Sequence, residues 1–513
     1  MNGADALIET LVLNEVTTCF ANPGTSEMQF VSALDRQPRM RPVLCLFEGV
    51  AAGAADGYGR MAGKPACTLL HLGPGYGNAL ANLHNARRAY TPIVNVIGDH
   101  ATWHRRFDAP LTSDVAAIAA PNSLWVRSAE AADEVGGLAA EAVAASYGPP
   151  GGSASLILPA DCAWNETTAV GGRGERPCKR GIDGALVKEA ARRMRAARMP
   201  VLLLGSGACA EDALATVGRI AATGVRVLAD TFVARQSRGA GRFAPDRMMY
   251  FGEMALADLE GVDLMVLVET TAPVAFFAYP DRPSVLVPDG CATLSLATRG
   301  EDGPAALAEL ADALGASQAG ARQALDLPAP QEGRLTAAGA GAAIGRHMPE
   351  GAVVSDDSVT SGQPILNLTR GARPHDWLGL TGGAIGQGIP VAVGAAVACP
   401  DRKVISLNGD GAASYTMQGL WSVAREGLDV TVVVFANHSY RILGIELGRT
   451  GAGNPGPAAS RLLDLGDPAV DWVGLAKSMG LPAVRCETAE DFDIAFARAM
   501  AQTGPRFIEA AIA

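Results

Sequence analysis

Apolar residues in this chain fall into short runs of strand length, separated by Ala-rich stretches whose apolar positions recur with helical spacing. The runs are 43–47, 66–70, 93–97 and 154–158; then 201–204, 225–228, 264–268 and 284–287; then 353–355, 403–407, 430–435 and 507–510. They lack the alternation of apolar and polar residues that a sheet with one wet face shows, so they predict parallel strands covered by helices on both faces. Two polar stretches rich in Gly and Pro, 171–181 and 326–333, break the rhythm and read as linkers. The expected architecture is α/β, with three open parallel-sheet domains over residues 1–170, 184–324 and 335–513. In such sheets ligands bind beyond the carboxyl ends of strands, in Gly-rich turns.

Composition narrows the function classes. The 513 residues are 49% hydrophobic and 19% charged, which suits packed cores and excludes a largely disordered chain. A formal charge of −11 without any long basic block argues against a nucleic-acid partner. The nine cysteines form no C-x-x-C, which argues against a zinc ribbon, and Cys45 and Cys67 read as small buried hydrophobes. The N-terminus has no secretory pattern and no apolar run reaches ~18 residues, so no membrane span and a cytoplasmic location are expected.

The chemistry concentrates at two strand ends of the last third. Run 403–407 leads into Asn408-Gly409-Asp410-Gly411, then a helical stretch, then run 430–435 ending in Ala436-Asn437-His438-Ser439-Tyr440. Glycines at a strand end let backbone N–H groups approach a phosphate, and the helix start favours the anion. Asp410 offers a hard oxygen to Mg²⁺ and Asn437 a second one at the same sheet edge. With 25 residues between Gly411 and Asn437, the segment resembles the binding motif of thiamin diphosphate (ThDP) enzymes. The resemblance implies metal ligation by Asp410, Asn437 and the main-chain oxygen of Ser439. The usual Asn-Asn of that motif is Ala436-Asn437 here, and the missing Asn is not a ligand.

Other segments resemble the decarboxylase and synthase branch of the same family. Glu48, after run 43–47 and before the tiny side chains of Gly49-Val-Ala-Ala-Gly-Ala-Ala, is similar to the acid that activates the coenzyme's aminopyrimidine. A helix-start acid satisfied by the dipole is the plain alternative. Asn22-Pro-Gly24-Thr25-Ser26-Glu27 resembles the first pocket loop of benzoylformate decarboxylase. His71, at the end of run 66–70, matches that enzyme's proton-moving His, against the alternative of a structural His. The Gly73-Pro-Gly75 after it resembles acetolactate synthases. In Gly382-Gly383-Ala384-Ile385-Gly386, the resemblance makes Ile385 the wedge that bends the coenzyme and Gly383 the carbonyl that meets its amino group. It assigns a diphosphate contact to Thr360 and further coenzyme contacts to Gly24, Thr25, Asn78, Gly409, Gly411, Ala412 and Tyr440. Substrate-pocket candidates are Thr25, His100, His104, His438 and Leu443.

The family pattern places the Glu48 half and the Asp410 half across a dimer interface, so a homodimer or homotetramer is implied. The expected activity is ThDP- and Mg²⁺-dependent decarboxylation of a small 2-oxo acid, with release of an aldehyde or transfer to an acceptor (carboligation). Acetolactate synthesis proper, and a non-catalytic or regulatory relative, stand as alternatives. Leu443 replaces the acid of pyruvate decarboxylases, and Ala278 stands where benzoylformate decarboxylase has a second His. His100-Ala-Thr-Trp-His104 lacks the Glu of a zinc protease helix. Gly205-Ser-Gly207-Ala-Cys-Ala210 with Asp230 fits a dinucleotide fingerprint. In acetolactate synthases this domain holds FAD, and in decarboxylases it is often empty. The short domain here, without a convincing flavin motif, predicts no FAD.

Overall fold

The computed structural model describes residues 1–512. The first sheet contains β1 (Thr18–Ala21), β2 (Arg41–Leu44), β3 (Ala66–Leu70), β4 (Ile93–Asp99), β5 (Trp125–Ser128) and β6 (Ser153–Pro159). All are parallel, in the order β2-β1-β3-β4-β6-β5. Next come β7 (Pro200–Leu204), β8 (Arg226–Ala229), β9 (Gln236–Arg238), β10 (Asp246–Arg247), β11 (Leu264–Val268) and β12 (Ala292–Ala297). All of these but β9 form the second sheet, β10-β8-β7-β11-β12, also parallel. The third sheet comprises β13 (Ala352–Asp357), β14 (His375–Leu378), β15 (Val404–Gly409), β16 (Val430–Ala436), β17 (Ala483–Cys486) and β18 (Arg506–Ala511), ordered β17-β18-β16-β15-β13-β14-β9.

The parallel α/β class is as the apolar runs predict, with three differences. β9 crosses from the middle of the chain and pairs antiparallel with β14, so the third sheet is not wholly parallel. Run 43–47 is a strand only to Leu44, because Phe47 is the extended residue that starts helix Glu48–Ala62. Run 284–287 is not a sheet strand at all. Pro283 and Pro288 bracket it, and proline cannot donate to a ladder. It folds back on residues 273–275 instead, with Ala275 N–H donating to Ser284 O at 2.8 Å and Leu286 N–H to Pro273 O at 2.9 Å. The resulting arm carries Phe276 and Phe277, and β12 takes the sheet position. Cys45 and Cys67 are buried as expected.

Small residues bring the first and third sheets together. A Cβ on Gly57 would lie 2.1 Å from Val391 O, and one on Gly394 1.8 Å from Ala54 O. Helices Glu48–Ala62 and Gly388–Ala398 therefore touch backbone to backbone. The small residues of helix Glu48–Ala62 serve that packing. Arg60 ties the three parts at one buried point. It pairs with Asp56 and donates to Gly379 O at 2.7 Å, Ala234 O at 3.3 Å and Gln387 Oε1 at 3.2 Å. No helix among the described residues is long and apolar enough to cross a membrane.

Candidate active site

The strand ends of the first sheet bring one cluster together. Glu48 is the first residue of its helix, 6% exposed, and its Oε2 accepts from Asn78 Nδ2 at 3.0 Å. His71 stands at the end of β3. A Cβ on Gly75 would lie 3.1 Å from Glu48 Oε1 and 3.2 Å from His71 Cβ, so the glycine separates the two side chains by little more than its own backbone. A Cβ on Gly24 would lie 2.2 Å from His71 Nδ1. Gly24, His71, Gly75, Glu48 and Asn78 thus share one corner, while Thr25 is exposed at its rim.

The residue that organises this corner is Glu27. Its carboxylate is 2% exposed and accepts from Gly24 N–H at 2.7 Å, Ser26 Oγ–H at 2.5 Å and His71 Nδ1 at 2.9 Å. Gly98, in β4, leaves the space: a Cβ there would sit 1.7 Å from Glu27 Oε1. Glu27 stands in the quoted pocket loop, but its role needs Gly98 and His71, which arrive from other strands. His100 and His104 pack on each other with ring centroids 5.4 Å apart, and neither bonds to His71 or Glu48.

The third sheet carries the second cluster. Asp410 opens a short helix after β15 and is 5% exposed. Its Oδ1 accepts from Gly411 N–H at 2.9 Å, its Oδ2 from His438 N–H at 2.7 Å. Asn437 Oδ1 accepts from Ser439 N–H at 3.0 Å. A Cβ on Gly411 would come 2.4 Å from the Tyr440 ring. Gly409, Ala412, Asn437, Ser439 and Tyr440 lie in the same two strand-end loops, and His438 reaches φ +53° to turn its N–H onto Asp410. Burial pushes the Asp410 carboxyl above its ordinary range. No Lys or Arg among the described residues pairs with it. A buried carboxylate without a cationic neighbour, with the Asn437 amide oxygen on the adjoining strand-end loop, offers oxygen donors of the kind that fit Mg²⁺.

Between the clusters runs segment 382–388. Gly383 (φ +74°) and Gly386 (φ +96°) need glycine's left-handed freedom, and Ile385 between them is half-buried. Asn85 donates to Ala384 O at 2.7 Å, and Thr416 Oγ–H to Gly386 O at 2.8 Å. Asp357, at the end of β13, holds the segment's far end: its Oδ2 accepts from the N–H groups of Gly386, Gln387 and Gly388 at 2.8, 3.0 and 3.1 Å. Burial pushes the Asp357 carboxyl up to about 7. The expected contact residue Thr360 lies in the turn just beyond it, half-buried. Leu443 is exposed on helix Arg441–Arg449. Within one chain no hydrogen bond joins Glu48 to the Asp410 loops.

Residues 1–118 match the thiamine pyrophosphate enzyme N-terminal TPP binding domain, and residues 361–510 the C-terminal TPP binding domain. A Mycobacterium tuberculosis protein bearing the name "Putative acetolactate synthase large subunit IlvX" is 51% identical over 100% of this chain and 99% of its own length. The chain belongs to the thiamin diphosphate enzyme family. Within that family, benzoylformate decarboxylase of Pseudomonas aeruginosa is 27% identical over 98% of this chain and 97% of its own. The fold matches that of a ThDP-dependent 4-hydroxybenzoylformate decarboxylase from Rhodococcus jostii, with a TM-score of 0.87 at 24% identity, over 100% of this chain and 99% of that one.

Proposed function

We propose that this ThDP enzyme decarboxylates a 2-oxo acid and releases an aldehyde or passes the acyl unit to a carbonyl acceptor. The observation that carries the reading is the shared corner of Glu48 and His71, in which the Glu48 carboxyl and the His71 Cβ both lie against Gly75. Bound ThDP would supply the electron sink for loss of CO₂.

This chain's own groups then have distinct tasks. Asp410, the Asn437 side chain and the Ser439 carbonyl hold Mg²⁺, and Gly409, Gly411 and Ala412 offer backbone to the diphosphate. Thr360 and Tyr440 border that site. Gly383 and Ile385 position the coenzyme's rings. Asn78 fixes one oxygen of Glu48, which leaves Oε1 to hold a proton toward the gap beside Gly75. Glu27 takes Nδ1 of His71, so Nε2 is the nitrogen left to carry a proton to or from substrate. Glu48 and Asp410 belong to different sheets, and the proposed assembly is a homodimer, or a pair of homodimers, in which the Glu48 corner of one protomer faces the Asp410 loops of its partner.

Phe276 supports a bulky, flat side chain on the 2-oxo acid. Its ring lies against Gly383, where a Cβ would come within 2.4 Å, and it is 40% exposed. Phe232, Tyr250 and Phe277 surround it at centroid distances of 5.6, 5.3 and 4.8 Å. Such a wall favours an aromatic group edge-on or offset. The test is CO₂ release from a panel of aliphatic and aromatic 2-oxo acids, with ThDP and Mg²⁺, with and without aldehyde acceptors. Inertness across the panel, equal to that of Glu48→Gln, would refute the proposal. A second reading, acetolactate synthesis, is favoured by the name of the 51% identical relative; acetolactate from pyruvate as main product would establish it.

A further inference from the structure

The central sheet presents the outline of a dinucleotide site, and the chain fills that outline itself. Gly205 and Gly207 follow β7, Ala210 precedes helix Glu211–Ala221, and Asp230 follows β8. In a dinucleotide fold the glycine turn receives the diphosphate and the acid receives the ribose. Here Glu269, the residue after β11, takes the left-handed conformation (φ +54°) and turns its side chain into the glycine turn, where it is 4% exposed. A Cβ on Gly207 would lie 1.8 Å from Glu269 Oε2, and one on Gly205 2.0 Å from Glu269 O. On the other side, a Cβ on Gly303, the first residue of helix Gly303–Leu314, would lie 2.8 Å from Oε1. The carboxylate is therefore wedged between two glycines, and Lys179, from linker 171–181, pairs with it at 2.5 Å.

The ribose position is spent in the same way. Asp230 Oδ2 accepts from Thr270 Oγ–H at 2.8 Å and its Oδ1 from Thr231 N–H at 2.8 Å. The buried Cys209 thiol beside the turn is held well above its usual range by burial and by the charges of Asp230 and Glu269.

We propose that Glu269 is an internal substitute for a dinucleotide's diphosphate: it closes the central glycine turn to FAD, NAD and ADP, and through Lys179 it latches the first linker to the central sheet. A carboxylate and a diphosphate compete for the same space, and an added anion would meet Glu269 at contact distance in a buried setting. The enzyme accordingly works without a flavin.

The test uses the holoenzyme, loaded with ThDP and Mg²⁺ so that the coenzyme's own diphosphate site is full. Isothermal titration with ADP and with FAD should show no binding to the wild type below about 1 mM, and the purified protein should lack flavin colour. Glu269→Ala, which empties the turn, should bind ADP at least about tenfold more tightly than wild type. Glu269→Gln keeps the volume and loses the ion pair. It should stay closed to ADP, yet be cut faster by trypsin after Lys179 or Arg180. Wild-type binding of FAD or ADP with a Kd below ~100 µM overturns the proposal whatever the variants do. So does a folded Glu269→Ala protein, with an unchanged thermal unfolding profile, that binds ADP no better than wild type.

Discussion

Glu27 and His71 are 44 residues apart in the chain and meet at 2.9 Å between Oε2 and Nδ1, in a corner that Gly98 keeps open. If Glu27 orients the imidazole, Glu27→Gln should lower kcat/KM about tenfold to a hundredfold with a smaller change in KM, and alter its pH profile. Gly98→Ala should reproduce that loss without touching either side chain, because its methyl would occupy the place of Glu27 Oε1. Full activity in Gly98→Ala would show that the pair is only packing.

Glu48 is bonded to Asn78, and its Oε1 lies against Gly75 beside the Cβ of His71. Glu48→Gln is expected to cut decarboxylation by about 10²-fold or more while ThDP still binds. Asn78→Ala, which frees one carboxyl oxygen, should fall between the two. Steady-state CO₂ release alongside ThDP titration by fluorescence separates chemistry from binding.

Asp410 predicts metal dependence. Chelation with EDTA should abolish activity, and Mg²⁺ with ThDP should raise the melting temperature of the wild type but not of Asp410→Ala. Burial holds the Asp410 carboxyl above its usual range, and only the ionised form ligates. Coenzyme affinity should therefore weaken as pH falls, with the onset at a higher pH than an ordinary surface Asp would give. Equal melting shifts in both proteins would remove Asp410 from the metal site.

Asp357 gives a stability prediction with a defined sign. Its folded carboxyl is pushed up to about 7 from an ordinary 3.8 by burial. A raised acid stabilises the fold below the unfolded value and loses that contribution as pH rises through the folded one. Between about pH 4 and 7, wild-type stability should therefore fall relative to Asp357→Asn by a few kcal/mol. Urea unfolding of both proteins across that range checks it, and parallel curves would contradict it.

Phe276 should separate substrates. Phe276→Ala is expected to raise KM for aromatic 2-oxo acids about tenfold, roughly the value of one lost aromatic contact, and to leave aliphatic ones nearly unchanged. A uniform loss would place Phe276 in the support of Gly383 rather than in the pocket wall.

The sequence by itself determined the α/β class, most of the strands and the two strand-end loops around Asp410 and Asn437. Those features are local: unbroken apolar runs, glycines at strand ends and a helical stretch between Gly411 and Asn437. Glu48 and His71 stood out because each follows an apolar run, although β2 stops at Leu44 and Glu48 opens the next helix. What only the tertiary structure decided involves groups brought from separate strands into one small volume. Glu27 becomes an organising group because Gly98, in β4, lacks a side chain. Glu269 becomes a plug because its backbone turns left-handed beside Gly207. Phe276 reaches Gly383 because run 284–287, bracketed by prolines, turns back into an arm instead of joining the sheet. Periodicity records which residues are buried; which buried groups touch depends on strand order and close packing, and those arise only when the whole chain has folded.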